Sequence, residues 1–126
     1  MSGLPTRTFT VTRADLVAYA AASGDQNPIH QDDAVATSVG LPGVIAHGMY
    51  TMALAARAVD SWFPGAAVVS FGCKFTQPVV VPADGGVEVE VAGEARPGDD
   101  GTTTVVLTVT SDGQKVLGMP RAVVRA

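Results

Sequence analysis

Charge is scarce in this chain. Of its 126 residues 16% are charged, 8 Lys and Arg against 12 Asp and Glu, for a formal net charge of −4. A general basic face of the kind that holds nucleic acid is thereby excluded, and any anionic partner has to meet a local cluster of cations. Cysteine is nearly absent: Cys73 stands alone, which excludes an intrachain disulfide and points to a reducing compartment. Long apolar runs are missing too, with no window approaching the roughly 20 residues of a membrane span. The opening Met1-Ser-Gly-Leu-Pro-Thr-Arg-Thr8 has no apolar stretch of the signal-peptide kind. A soluble, cytoplasmic protein that meets neither nucleic acid nor membrane is expected.

What the chain does have is 47% hydrophobic residues, many of them Val and Ala. Its length fits one domain, taken as residues 1–126, with a core large enough to fold alone. So apolar a chain with so thin a coat of charge suggests that part of its surface is buried in an oligomer.

Thr12-Arg-Ala-Asp15 matches a capping box that opens a helix, and Leu16, Val17, Tyr19 and Ala20 fall on one helical stripe before Ser23-Gly24 ends it. Residues 25–43, broken by Pro28, Gly40, Pro42 and Gly43, read as shaped loop with a short helix at 33–38. A second long helix is predicted over 48–62, where Met49, Met52, Ala53, Ala56 and Val59 recur at helical spacing. Its small residues on nearly every side suggest a helix surrounded by protein. Strands are predicted at 67–75, 79–81, 87–95, 103–110 and 115–124, with strict alternation in Val87-Glu-Val-Glu-Val91. Pro97 to Gly101 is a loop, Asp112-Gly113 is the centre of a two-residue hairpin, and Pro120 marks an edge or a bulge. Helices first and antiparallel strands afterwards make an α+β domain of five strands, with the apolar helix on the concave face of the sheet.

Only two histidines are present, both in glycine- and proline-marked loops: Asp25-Gln-Asn-Pro-Ile-His30 and Ala46-His-Gly-Met49. Asp25 and His30 flank a Pro-bearing turn, so both side chains can face one cavity, and a carboxylate beside an imidazole suits proton transfer near neutral pH. The plainer reading is that Asp25 caps the turn and His30 bonds to backbone. His47-Gly48 precedes the alanine-rich helix, where unpaired N–H groups and the bare glycine can polarise a carbonyl oxygen. The plainer alternative there is close packing at Gly48. Two histidines without a ligand cluster offer no zinc site, and no metal or other cofactor is expected.

Taken together, Tyr19-Ala-Ala-Ala-Ser-Gly-Asp-Gln-Asn-Pro-Ile-His30, Val39-Gly-Leu41 and Ile45-Ala-His-Gly-Met-Tyr-Thr-Met52 resemble the signature of the MaoC-like (R)-specific hydratases and dehydratases, hot-dog fold enzymes that act on acyl thioesters. Within that family the chain most resembles the catalytic subunits of actinobacterial (3R)-hydroxyacyl-ACP dehydratases, which pair with a related non-catalytic one. The resemblance implies a hot-dog fold, an antiparallel β-sheet wrapped around a central α-helix. It implies that Asp25 and His30 form the catalytic pair, that Asn27 and His47 support them, and that the Gly48 N–H binds the thioester oxygen. It further implies an acyl thioester of CoA or of acyl carrier protein as partner, and a homodimer or a heterodimer with a related hot-dog subunit. The expected activity is therefore (3R)-hydroxyacyl-thioester dehydration, or the reverse hydration of trans-2-enoyl thioesters. A self-sufficient enoyl-CoA hydratase of fatty-acid breakdown and a non-catalytic acyl-thioester scaffold are the alternatives. A hot-dog thioesterase would need a carboxylate on the central helix, where Asp60 alone stands, near the far end.

Weaker candidates complete the reading. Met49, Met52, Leu54 and Trp62 are either an acyl tunnel or, more in keeping with apolar helix residues, core. Arg57, Lys74, Arg121 and Arg125 are either phosphate contacts or solvated charges. Cys73 is a small buried hydrophobe without a base to activate it.

Overall fold

The computed structural model describes residues 2–126, Ser2 by its backbone alone. Strand β1 (Ser2–Val11) leads into helix α1 (Arg13–Ser23), a single 3-10 turn (Pro28–His30), and helices α2 (Asp33–Ser38) and α3 (Gly48–Trp62). Strands β2 (Ala67–Phe75), β3 (Val87–Pro97), β4 (Thr102–Ser111), β5 (Gln114–Lys115) and β6 (Leu117–Arg125) follow. The main sheet is antiparallel in the order β1-β3-β4-β6-β2, with β5 pairing only β4. Helix α3 packs on β1, β3 and β4.

Local signals explain the boundaries. Thr12 and Asp15 form a reciprocal capping box, the Asp15 N–H donating to Thr12 Oγ1 at 3.2 Å and the Thr12 N–H to Asp15 Oδ2 at 2.9 Å. Gly24 closes α1 in the left-handed conformation at φ 81°, which costs a residue without Cβ nothing. Asp32 caps α2 by accepting from the Ala34 and Val35 N–H groups. The Asp112-Gly113 hairpin has both central residues at positive φ, 52° and 74°, as a type I′ turn demands. The core is built from the inward faces of the strands, Val89, Val91, Val105, Leu107 and Val109, closed over by Leu16 of α1 and Leu54, Ala55, Ala58 and Val59 of α3.

Several expectations need correction. The sheet has six strands: Ser2–Val11 forms β1 by pairing with β3 along most of its length, and the expected strand over 115–124 divides into β5 and β6. The β1 segment is rich in Thr and broken by Pro5, so its strand character comes from the partner and not from its own pattern. Residues 79–81 make only an isolated bridge, Ile45 with Val80, because Pro78 and Pro82 confine the segment. On α3 the buried stripe is Thr51, Leu54, Ala55, Ala58 and Val59, whereas Met49 is 56% exposed and Ala53 lies off the stripe. With Ala on most sides of the helix, composition leaves the choice of face to the sheet. Similarly Val17 of α1 points outward, and Leu16 and Ala20 are its buried residues. Pro120 sits at a bulge and not at an edge: β6 runs between β4 and β2, and its register against β2 slips between Gly72 and Lys74. Among the described residues no helix is long and apolar enough to cross a membrane.

Candidate active site

The loop after α1 is organised by its own short polar side chains. The Asp25 N–H donates to Ser23 Oγ at 3.1 Å, Asp25 Oδ1 accepts from the Asn27 N–H at 3.2 Å, and Asn27 Oδ1 accepts from the Ile29 N–H at 3.2 Å. Each is an Asx- or Ser-type turn contact, so the three side chains fold the chain back on itself. Asn27 thereby caps the turn that carries His30, leaving the Asp25 carboxylate exposed and the His30 ring buried.

Both imidazoles are held by backbone carbonyls, which can only accept. His30 Nδ1 lies 2.7 Å from the Ile45 oxygen, so Nδ1 carries the proton and Nε2 presents a lone pair. His47 Nε2 lies 3.1 Å from the Asp25 oxygen and donates to it, leaving Nδ1 buried without a partner. The two rings stack with centroids 3.8 Å apart and planes 21° from parallel, while Tyr19 meets His47 edge-on at 4.8 Å and lies over Tyr50 at 5.2 Å. His47 is thus in direct contact with both Asp25 and His30, and it is also the residue from which α3 starts.

Ligand atoms of Asp25, His30 and His47 lie within 4.8 Å of one another, a set of donors that a metal would accept by type. Their arrangement fits one poorly. An imidazole binds metal in its own ring plane, and two near-parallel stacked rings do not aim their lone pairs at a common point.

The plainer reading of these residues holds, Asp25 bracing the turn and His30 bonding to backbone, and both also border one cavity of about 510 Å³. Tyr19, His47, Gly48 and Thr51 line it as well, and its far wall is the end of β2 and the following loop, Phe75 to Val79, with Val116 and Leu117. Gly48 is the first residue of α3, where backbone N–H groups have no partner inside the helix. A Cβ there would stand 3.0 Å from the Phe75 ring, so the close-packing reading of this glycine also holds. Behind the site, the Asp33 carboxylate receives Arg13 at 2.9 Å and the Val44 N–H at 3.1 Å, tying α2 to the segment that leads to His47. Those two contacts hold the Asp33 carboxyl below its ordinary pKa, the Val44 bond most of all.

Of the weaker candidates Met49 alone borders the cavity. Leu54 is core, and Trp62 donates from Nε1 to the Pro5 oxygen at 2.8 Å, fastening β1. Arg57 lies over the Phe9 ring, whereas Lys74, Arg121 and Arg125 are exposed. Burial pushes the Cys73 thiol up, which suits a packing residue better than a nucleophile. The wall formed by Phe75, Thr76, Gln77 and Pro78 escaped sequence reasoning, since a strand end and a loop look alike whether or not a cavity lies beside them.

Comparison with known proteins agrees with this fold. The model of the MaoC-like domain matches residues 3–114, and the chain belongs to that family. It is similar to 3-hydroxyacyl-thioester dehydratase X of Mycobacterium tuberculosis, 40% identical over 85 residues that are 68% of this chain and 30% of that protein. Among solved structures, one described as a MaoC-like dehydratase superposes with a TM-score of 0.93 at 39% identity, over 98% of this chain and 39% of that one. The R-hydratase PhaJ1 from Pseudomonas aeruginosa superposes with a TM-score of 0.86 at 28% identity, over 99% of this chain and 79% of that one. The antiparallel sheet around α3 is the hot-dog fold that these neighbours share. The matched segment spans less than half of each of the first two curated relatives, 30% and 45%.

Proposed function

We propose that this chain is a hydro-lyase of fatty-acid metabolism that interconverts (3R)-hydroxyacyl and trans-2-enoyl thioesters. The observation that carries the reading is the convergence, on one mostly apolar cavity, of the Asp25 carboxylate, the His30 imidazole and the free N-terminus of α3. Similarity to a 3-hydroxyacyl-thioester dehydratase and to an R-hydratase supports the same chemistry.

In the dehydration direction the thioester oxygen accepts from the Gly48 N–H, which makes the C2 proton acidic by stabilising the enolate. His30 Nε2, the nitrogen left with a lone pair, takes that proton. The C2 electrons form the double bond, the C3–O bond breaks, and the imidazolium returns its proton to the departing hydroxide as water. Asp25 anchors the C3 hydroxyl through its second carboxylate oxygen, Oδ1 being engaged by Asn27. Asn27 and His47 support the pair, Asn27 by capping the turn and His47 by bonding to the Asp25 backbone. No metal or other cofactor takes part in this scheme.

The substrate carrier is CoA or acyl carrier protein, the compartment is the cytoplasm, and the chain acts as one MaoC-like unit over residues 1–126. It works in a homodimer or beside a related hot-dog subunit: β2 is an edge strand whose Val68, Val69 and Phe75 are each more than half exposed, an open template for a partner. The deciding experiment incubates the purified chain with crotonyl-CoA and follows loss of the enoyl-thioester absorbance. Hydration to the (R)-3-hydroxy product is expected. Tight binding of the thioester without turnover, by the chain alone and with its partner subunit, would make it a scaffold instead.

A further inference from the structure

Thr51 sits one turn inside α3, is 4% exposed, and borders the cavity. A threonine within a helix ordinarily satisfies its hydroxyl on a carbonyl three or four residues back. Thr37 of α2 does so on Asp33 at 3.0 Å, and Ser61 of α3 on Ala58 at 2.6 Å. Thr51 does not: the His47 oxygen, its acceptor four residues back, already receives the Tyr50 N–H at 3.0 Å and the Thr51 N–H at 3.2 Å. Among the described residues its hydroxyl makes no hydrogen bond, and unlike His47 Nδ1 it is not sealed from the cavity.

Helical side chains lean over the turn that precedes them, so the Thr51 side chain lies over the turn that begins at Gly48, a residue with no side chain of its own. The Phe75 ring packs against Gly48, where a Cβ would stand 3.0 Å from it. An acyl thioester lying in the cavity along the start of α3, beside Phe75, would bring its carbonyl oxygen to the Gly48 N–H and the Thr51 O–H together. We propose that Thr51 is a second hydrogen-bond donor to the thioester oxygen, completing with Gly48 a two-donor oxyanion hole. This rests on the reading of the cavity as a thioester site. It accounts for a polar residue on the buried stripe of α3 and for a hydroxyl that is free of protein partners yet open to the cavity, where a ligand can take it up.

The test compares wild type, Thr51→Val, Thr51→Ser and Asp25→Asn, with Thr51→Ala as the hydroxyl-free variant should the branched one fail to fold. Bound butyryl-CoA, which cannot turn over, is the probe, and its carbonyl stretching frequency reads the donors directly. Wild type, Thr51→Ser and Asp25→Asn are expected to lower the frequency relative to free thioester, and the hydroxyl-free variants to recover part of that shift. With crotonyl-CoA the hydroxyl-free variants should lose about 10²- to 10³-fold in kcat with a smaller change in KM, as for the loss of one oxyanion donor. An unchanged carbonyl band and kcat in the hydroxyl-free variants overturn the proposal, as does an equal loss in Thr51→Ser. A wild-type band at the position of free thioester overturns this proposal and the thioester reading together. Full turnover by Asp25→Asn overturns the catalytic assignment of Asp25 and leaves the two-donor hole standing.

Discussion

His30 and His47 lie face to face, ring centroids 3.8 Å apart, yet each hands its ring proton to a different backbone carbonyl, Ile45 for one and Asp25 for the other. The stack fastens the turn after α1 to the start of α3, so the proposed acid–base pair and the helix N-terminus share one rigid support. A change at any one of these residues is therefore felt at the others.

Asp25→Asn and His30→Ala should each lower hydration of crotonyl-CoA by about 10²- to 10⁴-fold, the usual range for acid–base groups. Asp25 is exposed, so its variant should melt with wild type; His30 is buried and its truncation should also cost stability. Near-normal turnover by either variant would remove that residue from the chemistry.

His47→Phe keeps a ring against His30 and drops the bond to the Asp25 oxygen, at a cost of about 1 kcal/mol for a lost hydrogen bond. Turnover should fall by up to about 10²-fold, since a small shift in the Asp25 loop misaligns a reacting group. Denaturant unfolding and steady-state kinetics on the same preparation separate the two effects. A loss of stability with unchanged kcat would make His47 a core residue only.

Gly48→Val places a branched side chain where even a Cβ stands 3.0 Å from the Phe75 ring. Phe75 is 56% exposed and can swing aside, so the fold should survive while the cavity mouth narrows. Turnover is expected to fall much further than the melting temperature; wild-type kinetics would move the oxyanion contact away from this helix start.

Asp33 has its pKa lowered by the Val44 N–H and Arg13, so its ionised form is favoured in the folded state. A folded pKa below the unfolded one means stability that is present above the ordinary carboxylate value of 3.8 and is lost as pH falls through the depressed folded value. Asp33→Asn should therefore melt below wild type at neutral pH, and the gap should close in acid. Thermal melts across a pH series check this, and a gap that stays constant into acid would refute it.

The protein should exceed the 12.8 kDa of one chain in light scattering at micromolar concentration, through the open edge of β2. Val69, 54% exposed on that strand, is the place to test it: Val69→Lys should shift the species toward monomer with the secondary structure retained. A wild-type monomer, both alone and mixed with its candidate partner subunit, would contradict the expectation.

Wherever the deciding interaction is local, neighbouring residues settle the outcome. The capping box at Thr12 and Asp15, the glycine stop at Gly24, the turn at Asp112-Gly113 and the limits of α2, α3 and β2 all follow from neighbours a few residues apart. The candidate site residues stand out for a related reason: Asp25, Asn27, His30 and His47 lie in turns or at a helix start whose glycines and proline mark a shaped backbone, and Gly48 opens α3. What depends on a distant partner is set by packing between segments. Ser2–Val11 is a strand because β3 lies beside it, and α3 buries Thr51 and Leu54 in place of Met49 because the sheet meets that side of an alanine-rich helix. Phe75 walls the cavity, and the protons of His30 and His47 sit on opposite kinds of ring nitrogen, because chain segments far apart in sequence bring a ring or a carbonyl to that point. No periodicity along one segment encodes the position of another.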